Sequence, residues 1–271
     1  MKRTGIAGKL LVGFTLIAAV VLLVGLAGWR GISGTSESLE LIVSTRLPGV
    51  QSLLMIKEAA ASIRAAQACL LNPDLGLEGI KGQYAAIEKE RKKYLRAMER
   101  YDTLPKTPRE QELWGRFVET MGRWKEETTR FLEISQQLVQ TDILNPMRLR
   151  QSLEGIRSHH YDLIGKVGNM MQTEIEFEGG DDPAKSPMTT WMTGYRTNNP
   201  EILEALKNIL APHERFYLSV RRIKEEIRKG KADAASFVYE NEMAPAAKEV
   251  SGGFERMVKQ AVLAEELYDR M

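Results

Sequence analysis

The chain has 271 residues, 38 Lys and Arg against 36 Asp and Glu, a formal net charge of +2, one cysteine and 7% aromatic residues. That length suits one large domain or two small ones with a sizeable core. The balanced charge excludes the basic footprint of a nucleic-acid-binding protein, so no nucleic acid is expected as partner. A single cysteine excludes an internal disulfide, a four-cysteine zinc centre and an iron–sulfur cluster. Cys69, in the run AAQACLL, reads as a small buried hydrophobe. Beyond residue 50 the chain is rich in Glu, Lys, Arg, Leu, Ala and Met, which predicts an all-α protein.

Residues 10–29, LLVGFTLIAAVVLLVGLAGW, carry no charge. About 20 apolar residues at 1.5 Å each cross a hydrocarbon layer of about 30 Å. A cleaved signal peptide competes, because Lys2, Arg3 and Lys9 form a basic head. Its apolar core is normally about 7–15 residues, so the longer run favours an uncleaved anchor. Trp29 stands at the far edge, where an aromatic suits the interface. Basic residues before the run, and Arg30, Glu37 and Glu40 after it, place residues 1–9 in the cytoplasm and the bulk outside. In a bacterium this is a single-pass inner-membrane protein facing the periplasm, with membrane lipid as one partner.

Proline and glycine punctuate the remainder. A first long helix is predicted from about Thr35 to Leu71, ending at Asn72-Pro73. A second runs from Leu77 to Thr103, closed by LPKTP. A third begins near Thr107, where Thr-Pro and then Glu110 form a capping signature, and reaches Thr141. A fourth runs from Pro146 to Glu178, followed by the loop EGGDDPAKSP and a short segment at Met188–Tyr195. Asn199-Pro200 opens a long helix ending at Gly230, and the last runs from Ala232 to the end. Pro212 and Pro245 are expected to kink or restart their helices. Met271 falls within a periodic helix without a stop signal, so the sequence reads as a fragment of a longer one.

Two stripes have heptad spacing: Leu149, Leu153, Ile156, His160, Leu163, Val167 and Met170, then Ile202, Leu206, Ile209, His213, Phe216, Val220, Ile223 and Ile227. Such stripes face partner helices. A looser one runs through Tyr239, Met243, Ala246, Val250, Met257, Ala261, Ala264 and Met271. The architecture is a membrane-anchored antiparallel helical bundle, or two bundles in series. Its divisions are residues 1–9 (cytoplasmic), 10–29 (transmembrane), 30–145 (a first outer helical segment) and 146–271 (a second helical module).

His160 and His213 fall inside apolar stripes of different helices. A buried neutral imidazole needs one donor and one acceptor satisfied, so the pair can satisfy each other, share a metal or reach a ligand. His159 points off the stripe. Arg157 and Leu210 stand three residues before the two histidines, so the Glu-x-x-His pattern of di-iron bundles is absent. HExxH, CxxCH, P-loop and GxSxG motifs are absent too, and no enzyme is expected. Met170, Met171, Met188 and Met192 read as packing rather than a copper site.

The basic head, the apolar helix ending GLAGWRGI and the stretch LPGVQSLLMIKEAAASIRAAQACLL resemble the start of the four-helix-bundle sensor of methyl-accepting chemotaxis proteins. ELWGRFVETMGRW fits that family's third helix. Further on, HYDLIGKVGNMM, SPMTTWMTGY and APHERFY are similar to the chemoreceptor zinc-binding module. In that module one His, a Cys five residues before a Trp, and a His-x-x-x-His pair hold zinc. Here His160, Trp191 and His213 match, whereas Ser186 replaces the Cys and Tyr217 replaces the second paired His. Two of four zinc ligands are thus replaced by groups that are poor anions at neutral pH. The resemblance leaves His160 and His213 as the only metal candidates, with Asp181 or Asp182 as substitutes from the loop. It implies no resident cofactor and a polar pocket of His160, Ser186, Trp191, His213 and Tyr217, structural or holding a small molecule. Arg64 lies where related receptors present arginines to anionic ligands.

The implied function is extracytoplasmic ligand sensing by a bacterial chemotaxis transducer. A homodimer would bind a small molecule or a periplasmic binding protein and pass small helix shifts across the membrane. The alternatives are a single-pass anchored periplasmic binding or scaffold protein, or the sensor of a histidine kinase or cyclic-dinucleotide enzyme.

Overall fold

The computed structural model describes residues 5–271. Lys2 and Arg3 of the basic head lie outside the described residues. Every regular element described is helical. The chain forms α1 (Ile6–Leu41), α2 (Leu47–Leu70), α3 (Leu77–Asp102), α4 (Pro108–Gln140), α5 (Pro146–Thr173), α6 (Pro187–Gly194), α7 (Pro200–Arg228), α8 (Ala232–Val238) and α9 (Ala244–Asp269). The helix predicted to begin near Thr35 is the continuation of the apolar one. Ile6 to Leu70 is one helical run of 65 residues, long and apolar enough to cross a membrane.

Among the described residues two turns widen to π geometry, at Ile42–Arg46 and Tyr239–Met243. Each is followed closely by a proline, Pro48 or Pro245. Proline lacks an N–H and presses on the carbonyl four residues earlier, and a widened turn relieves that crowding. Pro245 accordingly marks a restart, with α9 beginning at Ala244. Pro212 does not, because α7 continues through it as one element and buries its ring.

The proline-based helix starts hold. Asn145 Oδ1 accepts the Arg148 N–H at 3.0 Å ahead of α5, and Asn199 Oδ1 accepts the Ile202 N–H at 3.1 Å ahead of α7. Thr107 and Glu110 form a reciprocal box: the Glu110 N–H reaches Thr107 Oγ1 at 3.3 Å, and the Thr107 N–H reaches Glu110 Oε2 at 2.8 Å. Helix α5 ends at Thr173, short of the expected Glu178, because Glu174 turns left-handed with φ 58°. The following loop is clasped by α7. Buried Lys224 donates to the carbonyls of Phe177 and Gly179 at 2.7 and 2.6 Å, and Arg221 donates to that of Asp181 at 2.9 Å. Gly180 adopts φ 78°, and a Cβ there would meet Leu163 at 2.5 Å, so the close turn requires glycine.

The described chain gathers into two compact units. One comprises the described residues up to 65 together with 85–117, the other residues 66–84 and 118–271. In the first, Ile56, Ala59, Ile63, Ile87, Tyr94 and Ala97 are buried, and Trp114 donates its indole N–H to Asp102 at 2.8 Å. In the second, α5, α7 and α9 form the core. All seven positions of the predicted α5 stripe are buried. On α7 the buried face is wider than the predicted stripe, taking in Ala205, Pro212, Tyr217 and Lys224, while Leu206 and Ile227 are only partly covered. The helix is covered from more than one side. At Gly253 a Cβ would stand 3.0 Å from Ile209, so a glycine lets α9 approach α7 closely.

Cys69 is exposed, against the expectation of burial. Its neighbours Ala66 and Leu70 take the buried positions of that turn, and the Cys Cβ falls beside that face, about 100° around the helix from Leu70.

Candidate functional site

The α5–α7–α9 core consists of two apolar clusters. One is built on Leu149, Leu153 and Ile156 with Ile202, Ile209 and Phe254; the other on Leu163, Val167 and Met170 with Phe216, Val220 and Met243. His160 and His213 lie between these sets in their helices, each replacing an apolar side chain in a heptad stripe. Their rings are 5.4 Å apart, and Tyr217 joins them at 4.8 Å from His213 and 5.8 Å from His160. Phe216 and Phe254 close the layer at 5.3 and 5.5 Å from His160.

His160 Nδ1 lies 2.9 Å from the Ile156 carbonyl, one turn back. A carbonyl only accepts, so Nδ1 carries the proton and Nε2 presents its lone pair. His160 Nε2, His213 Nε2 and the Tyr217 hydroxyl are buried without a hydrogen-bond partner among protein atoms. Burial holds the layer neutral. It lowers His160, opposed by the bond to the Ile156 carbonyl, and it pushes His213 down to about 4, with His160 adding to the effect. Burial also pushes the Tyr217 phenol up to about 12, weakly opposed by the Ser186 hydroxyl.

Ser186 is buried but already engaged. Its hydroxyl accepts the Thr189 N–H and donates to Thr189 Oγ1, both at 3.0 Å, capping α6. The Asp182 carboxylate caps the turn before it, accepting the Ala184 N–H at 3.0 Å. Two imidazole nitrogens, a phenol held protonated and a serine committed to a cap do not make the Cys/His donor set that zinc prefers. Among the described residues no cluster of three or more His, Cys, Asp or Glu side chains could hold a metal ion. The residues present therefore do not fit the zinc centre suggested by the resemblance.

Of the other expected site residues, Trp191 points elsewhere. Its ring stacks on Tyr195 at 4.5 Å and 22°, and it lines an open groove of about 730 Å³ with Asn145, Arg148 and Arg196. Arg64 is exposed on α2 and belongs to the other compact unit. The structure thus brings together His160, His213, Tyr217 and Ser186, and leaves Trp191 and Arg64 out. The groove residues escaped the sequence reading. A Trp and a Tyr four residues apart, followed at once by Arg196, were the available signal.

Residues 3–172 match the family described as a four helix bundle sensory module for signal transduction. The chain belongs to that family. The match runs from the basic head through nearly all of α5, well over half of the sequence. No match was found among curated proteins or among solved structures. The protein is therefore a ligand-sensing signal-transduction region of the kind carried by chemotaxis transducers. As a sensory module it belongs to a signalling rather than a catalytic class.

Proposed function

We propose that this sensory module stands in the bacterial periplasm, held by residues 10–29 in the inner membrane with its N-terminus in the cytoplasm, and works as a homodimer. The observation carrying this reading is the unbroken helix from Ile6 to Leu70, which joins the apolar segment directly to the first unit. Such a rod is the element by which a small displacement reaches the bilayer. Beyond Trp29 it keeps exposed apolar side chains, Leu39 and Val43 up to the widened turn and a row of Val50 and Leu54 beyond it, each more than half exposed. A second copy of the same helix is the occupant that such a row fits, in a symmetric contact. The boundary at residue 145 belongs to the same reading. From α5 onward, the stripes of α5, α7 and α9 close a core to which only Leu138 and Ile143 are added from before Pro146.

Cys69, the sole cysteine and exposed, is the handle for a test. In intact spheroplasts a membrane-impermeant maleimide is expected to label Cys69 without lysis. Labelling only after lysis would overturn the periplasmic placement. In a Cys69→Ser background, Val50→Cys is expected to give a disulfide-linked dimer under mild oxidation, and persistent monomer would remove the dimer contact.

A further inference from the structure

We propose that the groove between α6 and the N-terminal turn of α5 is the ligand site of this sensor, and that it takes a small organic anion with a flat, apolar body. The proposal deepens the sensory reading by giving it a site and a ligand class, and the test below stands apart from the membrane topology.

The volume, about 730 Å³, is that of a small-molecule site. One wall is flat and aromatic, formed by Trp191 on α6 and Tyr195 just past its C-terminal end, stacked 4.5 Å apart. Both rings are half-buried, so they meet a ligand while remaining anchored. The stack is held by the short helix whose start is fixed by Ser186 and Thr189, and by Thr189 Oγ1 donating to the Pro183 carbonyl at 2.8 Å. Buried Ile143 and Leu149 supply an apolar floor. A planar ring is the shape such a slot holds with the most contact.

The charge comes from the rim. Arg196 donates only to main-chain carbonyls, those of Tyr195 at 2.8 Å and Met192 at 3.4 Å, so its guanidinium is positioned over the groove without a carboxylate partner. Arg148 meets Asp74 at 3.6 Å, an exposed and loosely made pair. The acid that lines the groove, Asp142, has its Oδ2 committed to the Thr197 hydroxyl at 3.0 Å and the Asn198 N–H at 2.5 Å. That carboxylate holds the α6–α7 connection in place, Asp74 is shared between Arg148 and the Asn145 amide, and among the described residues Arg196 is the rim guanidinium with no acid paired to it. A planar fork of donors suits a carboxylate, and stacking of the ring leaves the ligand's anionic end at the rim.

The experiment uses the full chain in lipid nanodiscs, with benzoate as probe and benzyl alcohol as its uncharged counterpart, followed by calorimetry and ligand-observed NMR. Saturable benzoate binding is expected, with benzyl alcohol at least tenfold weaker. Arg196→Ala and Arg148→Ala should each weaken benzoate about tenfold, and Trp191→Leu should abolish ring-proton transfer. Because Trp191 also packs against the core, helicity is checked by circular dichroism. If that variant unfolds, the arginine variants decide. Absence of saturable benzoate binding, or equal affinity in the Arg148→Ala/Arg196→Ala double variant, overturns the assignment. Either result leaves the labelling of Cys69 unchanged, so failure here is distinct from failure of the periplasmic placement, and the sensory reading rests on the family match rather than on this groove.

Discussion

Within the first unit the buried positions of α2 and α3 include Ser52, Ala59 and Ala97 beside Ile56, Ile63, Ile87 and Tyr94. In the core of α5, α7 and α9 they are Leu153, Met170, Ile202, Phe216, Ile223, Met243 and Phe254, each with no exposed surface. Apolar area removed from water is the main stabilising quantity, at roughly 25 cal/mol per Å², and small side chains supply little of it. Surface ion pairs occur in both units, such as Arg46–Glu110 and Arg116–Glu112 in the first and Arg215–Glu249 and Arg228–Glu176 in the second, and pairs of that kind contribute little. One region is therefore a firm scaffold, and the other is closer to the soft end where signalling elements are drawn.

The comparison breaks most directly at the largest side chains. Phe254→Ala should cost about 3–5 kcal/mol by chemical denaturation, whereas Leu113→Ala, at 50% exposure in the first unit, should stay within about 0.5 kcal/mol. Equal losses would mean that Phe254 is not packed as deeply as its burial indicates.

The next effect belongs to the polar layer within the firm region. His213 titrates near 4 when folded and near 6.5 when unfolded, so between these values the unfolded chain binds the extra proton. Stability from this group is complete above about pH 6.5 and falls by about 3 kcal/mol as the pH drops to 4. His213→Leu should flatten that part of the pH–stability profile and be more stable than the parent at pH 5. An unchanged profile would show that the layer is solvated.

The smallest effect compares helix starts. Asn199→Ala removes the cap of α7 together with the Asn199 Nδ2 donation to the Thr141 carbonyl at 2.8 Å, and should cost about 1–2 kcal/mol. Thr107→Ala, exposed in the first unit, should cost about half of that. Thermal melts of the two variants distinguish a buried cap from an open one.

These contrasts explain which parts of the molecule could be read from the sequence. Asn-Pro and Thr-Pro steps act within a few residues, so the starts of α4, α5 and α7 fell where expected. Heptads of Leu and Ile carry their own periodicity, so the α5 stripe was legible in full, including His160. The early end of α5 was not, because a glutamate in the left-handed region gives no composition signal. Continuation through Pro212 depends on packing around α7, which no local pattern records. At the site, two histidines on separate stripes could be seen to be core-facing, and the partner Tyr217 was found only by resemblance. Trp191 entered the candidate pocket through the resemblance alone, and its stacking on Tyr195, a contact formed one turn away, has no signal in that pattern.

The widened turns at Ile42–Arg46 and Tyr239–Met243 also bear on phase. A π turn is a helix carrying one residue more than its pitch accounts for, and one residue is about 100° of rotation at 3.6 per turn. Everything beyond Arg46 is therefore turned by that angle relative to a uniform continuation of the membrane helix. Removing a single residue from that turn would swing Val50 and Leu54 a quarter-turn or more around the axis while leaving the sequence on either side untouched. Where the sensor's apolar row faces is thus set by one surplus residue ahead of Pro48, independently of the side chains that make up the row.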